Sequence, residues 1–251
     1  MRHRRATAAL LLAAALLAGC GTTDGTDEEP SAPPGSGPTS AEPTATSPDP
    51  TDPATTEPAT SEPGDLPGEP VEGGFPLEGA ELGVVGVVAG DVLHLRAGPG
   101  TEHDSVAELE PLATGLVASG HNRQLDDGSL WAEVTVEGTT GWVNTAFVSH
   151  PGPVTDVTAE LGEPPTAATL EQLAVAVAHV LAGPEPTVTI ADGPREGDLG
   201  EVVVDVLGFA DDAVAGERLH VLAAPTDGGW TVRTVEATLL CARGVSEGLC
   251  A

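Results

Sequence analysis

The chain contains no lysine and no tyrosine, and its nine basic residues are all arginines. Aspartate and glutamate together number 39, so the formal net charge is −30 at pH 7. Nucleic acids carry charge of the same sign and repel such a surface. The composition therefore argues against DNA or RNA as a partner, and much of the acidity is explained by solubility alone.

The apolar run near the N-terminus is too short to span a bilayer as a helix. Three arginines precede this run, which covers residues 6–18 and has the layout of a secretory signal. At its end, Leu17-Ala18-Gly19-Cys20 resembles the lipobox of bacterial lipoproteins. The resemblance implies a signal peptide over 1–19 and a diacylglyceryl anchor on Cys20, because two acyl chains hold a protein stably on a membrane. An ordinary secretory signal with a chance cysteine is the alternative.

The segment that follows, residues 20–80, has few large apolar side chains and no basic ones. It consists mainly of proline, threonine, serine, glycine and acidic residues. Such a composition cannot bury enough apolar surface to offset the entropy lost on ordering. The sequence therefore predicts a disordered acidic linker that separates the anchor from a folded region.

Residues 81–150 contain short apolar stretches separated by turn residues, which predicts brief strands in a small antiparallel barrel or sandwich. Leu93 and Leu95 alternate in this pattern, so both are expected to face one core. The stretch from Leu93 to Gly100, Leu-His-Leu-Arg-Ala-Gly-Pro-Gly, resembles the Leu-Asn-Val-Arg-x-Gly-Pro signature of bacterial SH3-like (SH3b) domains. Gly141-Trp142-Val143 resembles the closing strands of the same family.

The SH3b resemblance implies binding outside the cytoplasm, commonly to peptidoglycan. The candidate ligand residues are aromatic or imidazole side chains: Trp131, Trp142, His94, His103 and Phe147. Either tryptophan is also large enough to dominate the core of so small a domain. A plain core role is therefore the alternative for the tryptophans, and a turn or surface role for the histidines.

Residues 151–251 carry no recognised family pattern but predict an α+β domain. Thr169 begins a capping box, and Leu170, Leu173 and Val177 follow at helical spacing until Gly183 ends the helix. Four strands are predicted after the helix, at 187–191, 201–207, 218–224 and 230–240, with a hairpin between the last two. One helix lying on an antiparallel sheet fits this order.

Cys241 and Cys250 lie close together near the end of the chain. Outside the cytoplasm such a pair is most simply a disulfide. A redox-active pair or a metal site is the alternative, although the spacing is far from Cys-x-x-Cys. With Cys20 assigned to lipid, no cysteine remains to act as a nucleophile with a histidine.

Other catalytic signatures are also missing from the sequence. It has no Gly-x-Ser-x-Gly motif and no phosphate-binding glycine loop. Residues 102–104, Glu-His-Asp, are of types that bind metals, but three adjacent residues do not have the spacing of a tetrahedral metal site. We expect no enzymatic activity, no cofactor and no metal.

The leading hypothesis is a lipid-anchored, extracytoplasmic protein of the cell membrane whose SH3b domain contacts peptidoglycan or another wall component. An interaction scaffold that uses the α+β domain to hold an envelope protein is the main alternative. A cell-wall hydrolase built on paired carboxylates is the third.

Overall fold

The computed structural model describes residues 66–251, which are mainly β, as predicted. The strands are β1 (Glu69–Pro70), β2 (Glu81–Val84), β3 (Leu93–Arg96), β4 (Ser105–Leu109), β5 (Thr114–Gln124), β6 (Leu130–Val136), β7 (Thr139–Asn144), β8 (Val148–Asp156), β9 (Thr166–Ala167), β10 (Thr187–Arg195), β11 (Gly200–Leu207), β12 (Val214–Thr226), β13 (Gly229–Cys241), β14 (Val245–Ser246) and β15 (Leu249–Cys250). The α-helix found in this range is α1 (Leu170–Ala182), and two 3-10 turns cover Thr145–Phe147 and Thr158–Leu161.

The predicted signal peptide, the anchor residue Cys20 and linker residues up to 65 lie outside the described residues. No helix in 66–251 is both long and apolar enough to cross a membrane.

The strands form a 13-stranded sheet and a small separate hairpin of β14 and β15. The main sheet runs β10-β11-β12-β13-β8-β2-β5-β6-β7-β3-β4, with β1 beside β5 and β9 beside β13. All pairings are antiparallel, and the order is open, since β4 pairs with β3 and β10 pairs with β11 at the two ends. Strand pairing within residues 66–251 therefore closes no barrel, and the small SH3-like barrel expected over residues 81–150 is not confirmed.

Strand β8 joins the two halves of the sheet. Its first residue, Val148, lies opposite Val84 of β2 in the first half. Further along, His150 lies opposite Cys241 and Asp156 lies opposite Glu236, both on β13 of the second half. The boundary predicted between residues 150 and 151 therefore falls inside a strand that both halves share.

Each half has its own hydrophobic core. In the first half Leu93 is 9% exposed and Leu95 is fully buried, as their alternation predicts. The members of this core are Leu82, Val84, Val87, Leu93, Leu95, Leu109, Leu116, Ala118, Val134 and Val143. In the second half, helix α1 packs its apolar stripe on strands β11, β12 and β13.

Helix α1 forms where the sequence predicts it. The Thr169 hydroxyl accepts a hydrogen bond from the Gln172 N–H at 3.3 Å, which satisfies one of the free donors at the helix start. Leu170, Leu173 and Val177 are fully buried. The helix ends at Gly183, whose φ of 78° is costly for any residue with a Cβ.

The four strands predicted after the helix are present as β10 to β13, each longer than its apolar run. The loop between β12 and β13 is a tight hairpin, with Thr226 opposite Gly229. The added positions include Asp192, Arg195 and Glu217, because backbone groups pair with neighbouring strands irrespective of side-chain polarity.

The last part of the predicted linker, residues 66–80, packs on the first half. Glu69 and Pro70 pair with Gln124 and Arg123 of β5. The Arg123 guanidinium donates to the carbonyls of residues 66, 67 and 68 at 2.6–2.8 Å. These hydrogen bonds to backbone carbonyls hold the acidic segment in place. Amino-acid composition does not reveal them, because every residue has a backbone carbonyl.

The predicted disulfide between Cys241 and Cys250 is present, with an S–S distance of 1.98 Å. It closes the β14–β15 hairpin against the end of β13. Cys241 itself is fully buried, and its carbonyl accepts a hydrogen bond from the Ser149 hydroxyl at 3.0 Å. The C-terminus is thereby tied to the shared strand β8.

Candidate functional site

An open groove of about 260 Å³ lies beside strand β3 in the first half. We call it the β3 groove; the lining residues that matter here are Val88, Asp91, His94, Arg96, Trp131, Asn144 and Phe147. Ligand sites typically combine apolar surface with a few polar groups that fix orientation. The β3 groove has both kinds of group, and three of the five predicted ligand residues meet in it.

The two aromatic side chains of the groove differ in how much surface they offer. Trp131 is only 4% exposed, and its indole N–H donates to the Ser129 hydroxyl at 3.0 Å. Phe147 follows β7 in a 3-10 turn and is 40% exposed. Most of Trp131 therefore serves the core, while Phe147 presents the larger apolar surface to a ligand.

The polar groups of the groove are held by neighbouring hydrogen bonds. The His94 Nδ1 atom lies 3.1 Å from the Ser105 hydroxyl of β4. Arg96 donates from Nη1 to the His103 carbonyl at 2.8 Å. A guanidinium has five N–H donors, so Arg96 keeps donors for a carboxylate or carbonyl of a ligand.

Trp142 and His103 are not among the groove-lining residues. Trp142 is 4% exposed and lies opposite Arg96 in the sheet. The His103 ring lies against Gly98, where an added Cβ would come within 2.8 Å of it. A side chain at position 98 would therefore displace the imidazole from its place on the backbone.

One wall of the groove is the segment 85–91, which we call the wall segment. Its Val85 N–H donates to the Phe147 carbonyl at 2.9 Å, within the first half. Its Ala89 N–H donates to the Ile190 carbonyl of β10 at 2.9 Å. Gly86 has a φ of 69°, and an added Cβ would lie 3.0 Å from Leu207 of β11. The second half therefore contacts this wall directly.

A buried ion pair of the second half also contacts the wall segment. Asp205 of β11 is fully buried, and its carboxylate accepts from the Arg218 Nε at 2.7 Å and Nη2 at 2.9 Å. The same carboxylate accepts from the Gly86 N–H at 2.7 Å. Arg218 in turn donates to the Val84 carbonyl at 2.7 Å. Two charged side chains thus bridge the halves.

Another cavity, of about 470 Å³, lies at the junction of the two halves. Its lining includes Phe75, Leu130, Ala146, His150 and Leu207 and contains no aspartate, glutamate, lysine or arginine. We favour the smaller β3 groove as the site because it alone of the two offers charged groups beside an exposed aromatic ring.

Two groups outside the groove, His150 and Glu217, have pKa values that are shifted mainly by burial. Burial lowers the pKa of His150 at the junction, and a hydrogen bond with the Glu81 backbone acts in the opposite direction. Burial, with a smaller contribution from the nearby Glu160 carboxylate, raises the pKa of Glu217 on β12. Among residues 66–251 no group of three or more His, Cys, Asp or Glu side chains is placed to hold a metal ion.

Sequence reasoning missed Asp91 and Asn144 and did not place Arg96 in the site, although Arg96 belongs to the SH3b-like signature. Asp91 and Asn144 carry no pattern of their own, because they join the groove only through the fold.

Comparison with family models, with curated proteins and with solved structures returned no match.

Proposed function

We propose that this chain is a lipid-anchored protein of the cell envelope that binds peptidoglycan or another wall component through its first half. The β3 groove is the binding site, and the protein is not an enzyme. The observation that carries the proposal is the meeting of His94, Arg96, Trp131 and Phe147 in one open groove.

The groove suits a peptide of the wall rather than a small apolar ligand. Phe147 supplies apolar surface for a short side chain, while Arg96 and Asp91 carry charges of opposite sign for carboxylate and ammonium groups. Stem peptides of peptidoglycan carry groups of both signs. The acidic rest of the chain makes purely electrostatic adhesion to an anionic wall polymer unfavourable, so contacts in the groove are expected to supply the affinity.

An SH3-like first half is part of this proposal. Support comes from the Leu93–Gly100 signature and from the antiparallel order β2-β5-β6-β7-β3-β4 around one small core. Anchoring at Cys20 rests on the lipobox-like motif. Intact mass spectrometry of the membrane-extracted protein tests it, since cleavage after Gly19 and two ester-linked acyl chains change the mass by defined amounts.

The binding test uses the full chain and purified peptidoglycan sacculi in a sedimentation isotherm. We predict that Phe147→Ala weakens the apparent affinity about 10- to 70-fold. The 40% of the side chain that is exposed amounts to roughly 60–100 Å², and its burial under a ligand contributes about 1.5–2.5 kcal/mol. Phe75→Ala is the matched control: it removes the same side chain at 37% exposure, against 40% for Phe147, but in the junction cavity.

The control variant is expected to bind as the wild type does. No retention of the wild type on sacculi, or equal loss in the two variants, would contradict the proposal. Trp131→Ala is a poorer probe, because the buried indole contributes to folding as well as to the groove.

The main alternative is a scaffold that holds an envelope protein with the second half. The uncharged junction cavity is the observation that favours it, because the second half supplies Leu207, Ala215 and Ala242 to a lining that it shares with Phe75 of the first half. Under this alternative Phe75→Ala, rather than Phe147→Ala, would reduce capture of the partner.

A further inference from the structure

The wall segment owes its conformation to the second half as much as to the first. It contributes Gly86, Val88 and Asp91 to the β3 groove. Two of its backbone N–H groups, at Gly86 and Ala89, donate to Asp205 and Ile190 of the second half. A backbone donor held by a distant strand fixes the position of the side chains on either side of it.

The bond to Gly86 is stronger than an ordinary backbone bond because its acceptor is ionised and shielded from water. Charge-assisted hydrogen bonds are roughly twice as strong as neutral ones. The Asp205 side chain is 0% exposed and that of Arg218 is 15% exposed, so solvent screens the pair weakly. Arg218 adds bonds to the carbonyls of Val84 at 2.7 Å and Pro111 at 3.3 Å, which lie before and beside the wall segment.

We propose that the second half serves as a support for the β3 groove, and that Asp205 and Arg218 are positioning residues for ligand binding. This inference rests on the proposed function, since it concerns the same groove. Residues 151–251 would then have a role in binding without contacting a separate partner molecule. Neither side chain of the ion pair lines the groove; the pair acts through the backbone of residues 84–86.

The test replaces both charges at once, with Asp205→Leu and Arg218→Met in the full chain. Removing one partner would leave an uncompensated buried charge, whereas apolar replacement of a whole buried pair is often tolerated. The expected result is a folded protein in which hydrogen exchange at the Gly86 and Ala89 amides is about tenfold faster or more. Affinity for sacculi is expected to fall about tenfold in the same variant.

The matched control is Glu201→Leu with His220→Met. These residues form another, more exposed pair on the same two strands, with 2.8 Å between His220 Nε2 and a Glu201 carboxylate oxygen. Their other charged neighbours, Arg195 and Glu236, also lie in the second half. In this control variant, hydrogen exchange at the Gly86 amide and affinity for sacculi are expected to match the wild type. If the double variant at 205 and 218 does not fold, Leu207→Ala removes the side chain behind Gly86 and is expected to accelerate the same amide by a smaller factor.

The outcomes separate this inference from the proposed function. Unchanged exchange at Gly86, or faster exchange with unchanged binding, overturns the positioning role while leaving the groove as the binding site. Failure of the wild type to bind sacculi overturns the proposed function; the exchange measurement alone then decides whether the second half holds the wall segment.

Discussion

His150 is a buried side chain whose protonation depends on the fold. It is 6% exposed and lies on β8 between the two halves. Burial lowers the pKa of its imidazole below the ordinary value of 6.5. The folded protein therefore binds fewer protons at this position than the unfolded chain does, over the range between the lowered pKa and 6.5.

This linkage predicts that the free energy of unfolding falls as the pH drops below about 6.5, because protons then favour the unfolded chain. The loss is complete only below the lowered pKa of the folded state. Urea unfolding between about pH 7.5 and about pH 5 measures it. His150→Gln is expected to show a shallower decline over that range. Glu217, whose raised pKa acts in the opposite direction, is present in both proteins and cancels in the comparison.

An equal pH dependence in the two proteins would show that His150 is not the source. The exposed carboxyls of Asp127, Asp156 and Asp211 have pKa values lowered by hydrogen bonds to nearby backbone or hydroxyl groups. Their contribution is lost at still lower pH, below the ordinary carboxyl value of 3.8.

At the scale of single elements, helix α1 shows how a local signal and tertiary packing combine. Its apolar stripe is buried by the sheet, and packing on that scale outweighs intrinsic propensity. Its first turn depends instead on one hydroxyl, that of Thr169, which is exposed and makes its bond within the helix itself. The two contributions can therefore be separated by mutation.

Thr169→Ala is predicted to lower the free energy of unfolding by about 1 kcal/mol, because the Gln172 N–H loses its acceptor. Thr169→Ser keeps the hydroxyl and is expected to stay within about 0.5 kcal/mol of the wild type. Denaturant unfolding of the three proteins measures both values. Equal destabilisation by serine and alanine would mean that the methyl group, not the cap, matters at this position.

At the scale of the whole molecule, the shared strand β8 and the Asp205–Arg218 pair make residues 66–251 one cooperative unit. Separating the halves would break the pairing of β8 with β2 or with β13, and the hydrogen bonds of Asp205 with the Gly86 N–H and of Arg218 with the Val84 carbonyl. The loss of these bonds together is large relative to the stability of a small domain. Independent unfolding of either half is therefore unfavourable.

Unfolding followed in the two halves separately is accordingly predicted to give one midpoint. Trp230→Phe leaves Trp131 and Trp142 as fluorescent probes of the first half. Trp131→Phe combined with Trp142→Phe leaves Trp230 as the probe of the second. Each variant is compared with its own circular-dichroism transition, which reports the whole chain. A fluorescence midpoint well separated from that transition in either variant would show that the halves unfold independently.

Much of the local structure was predictable from the sequence by itself. The alternation of Leu93 and Leu95, the stripe and cap of α1, the hairpin after β12 and the disulfide all follow from patterns within a few residues. Local signals suffice there because the physical cause, a side-chain period, a capping hydroxyl or a short closed loop, is itself local.

Tertiary structure alone decided where the halves meet and what forms the groove. Nothing in the local pattern around Asp205 or Gly86 marks them as partners, which are 119 positions apart. The open sheet order, the strand shared across residue 150 and the packing of residues 66–80 likewise depend on backbone groups finding distant partners. Burial makes such pairings obligatory, because an unpaired polar group or charge away from water is costly, but it leaves no periodic trace in the sequence.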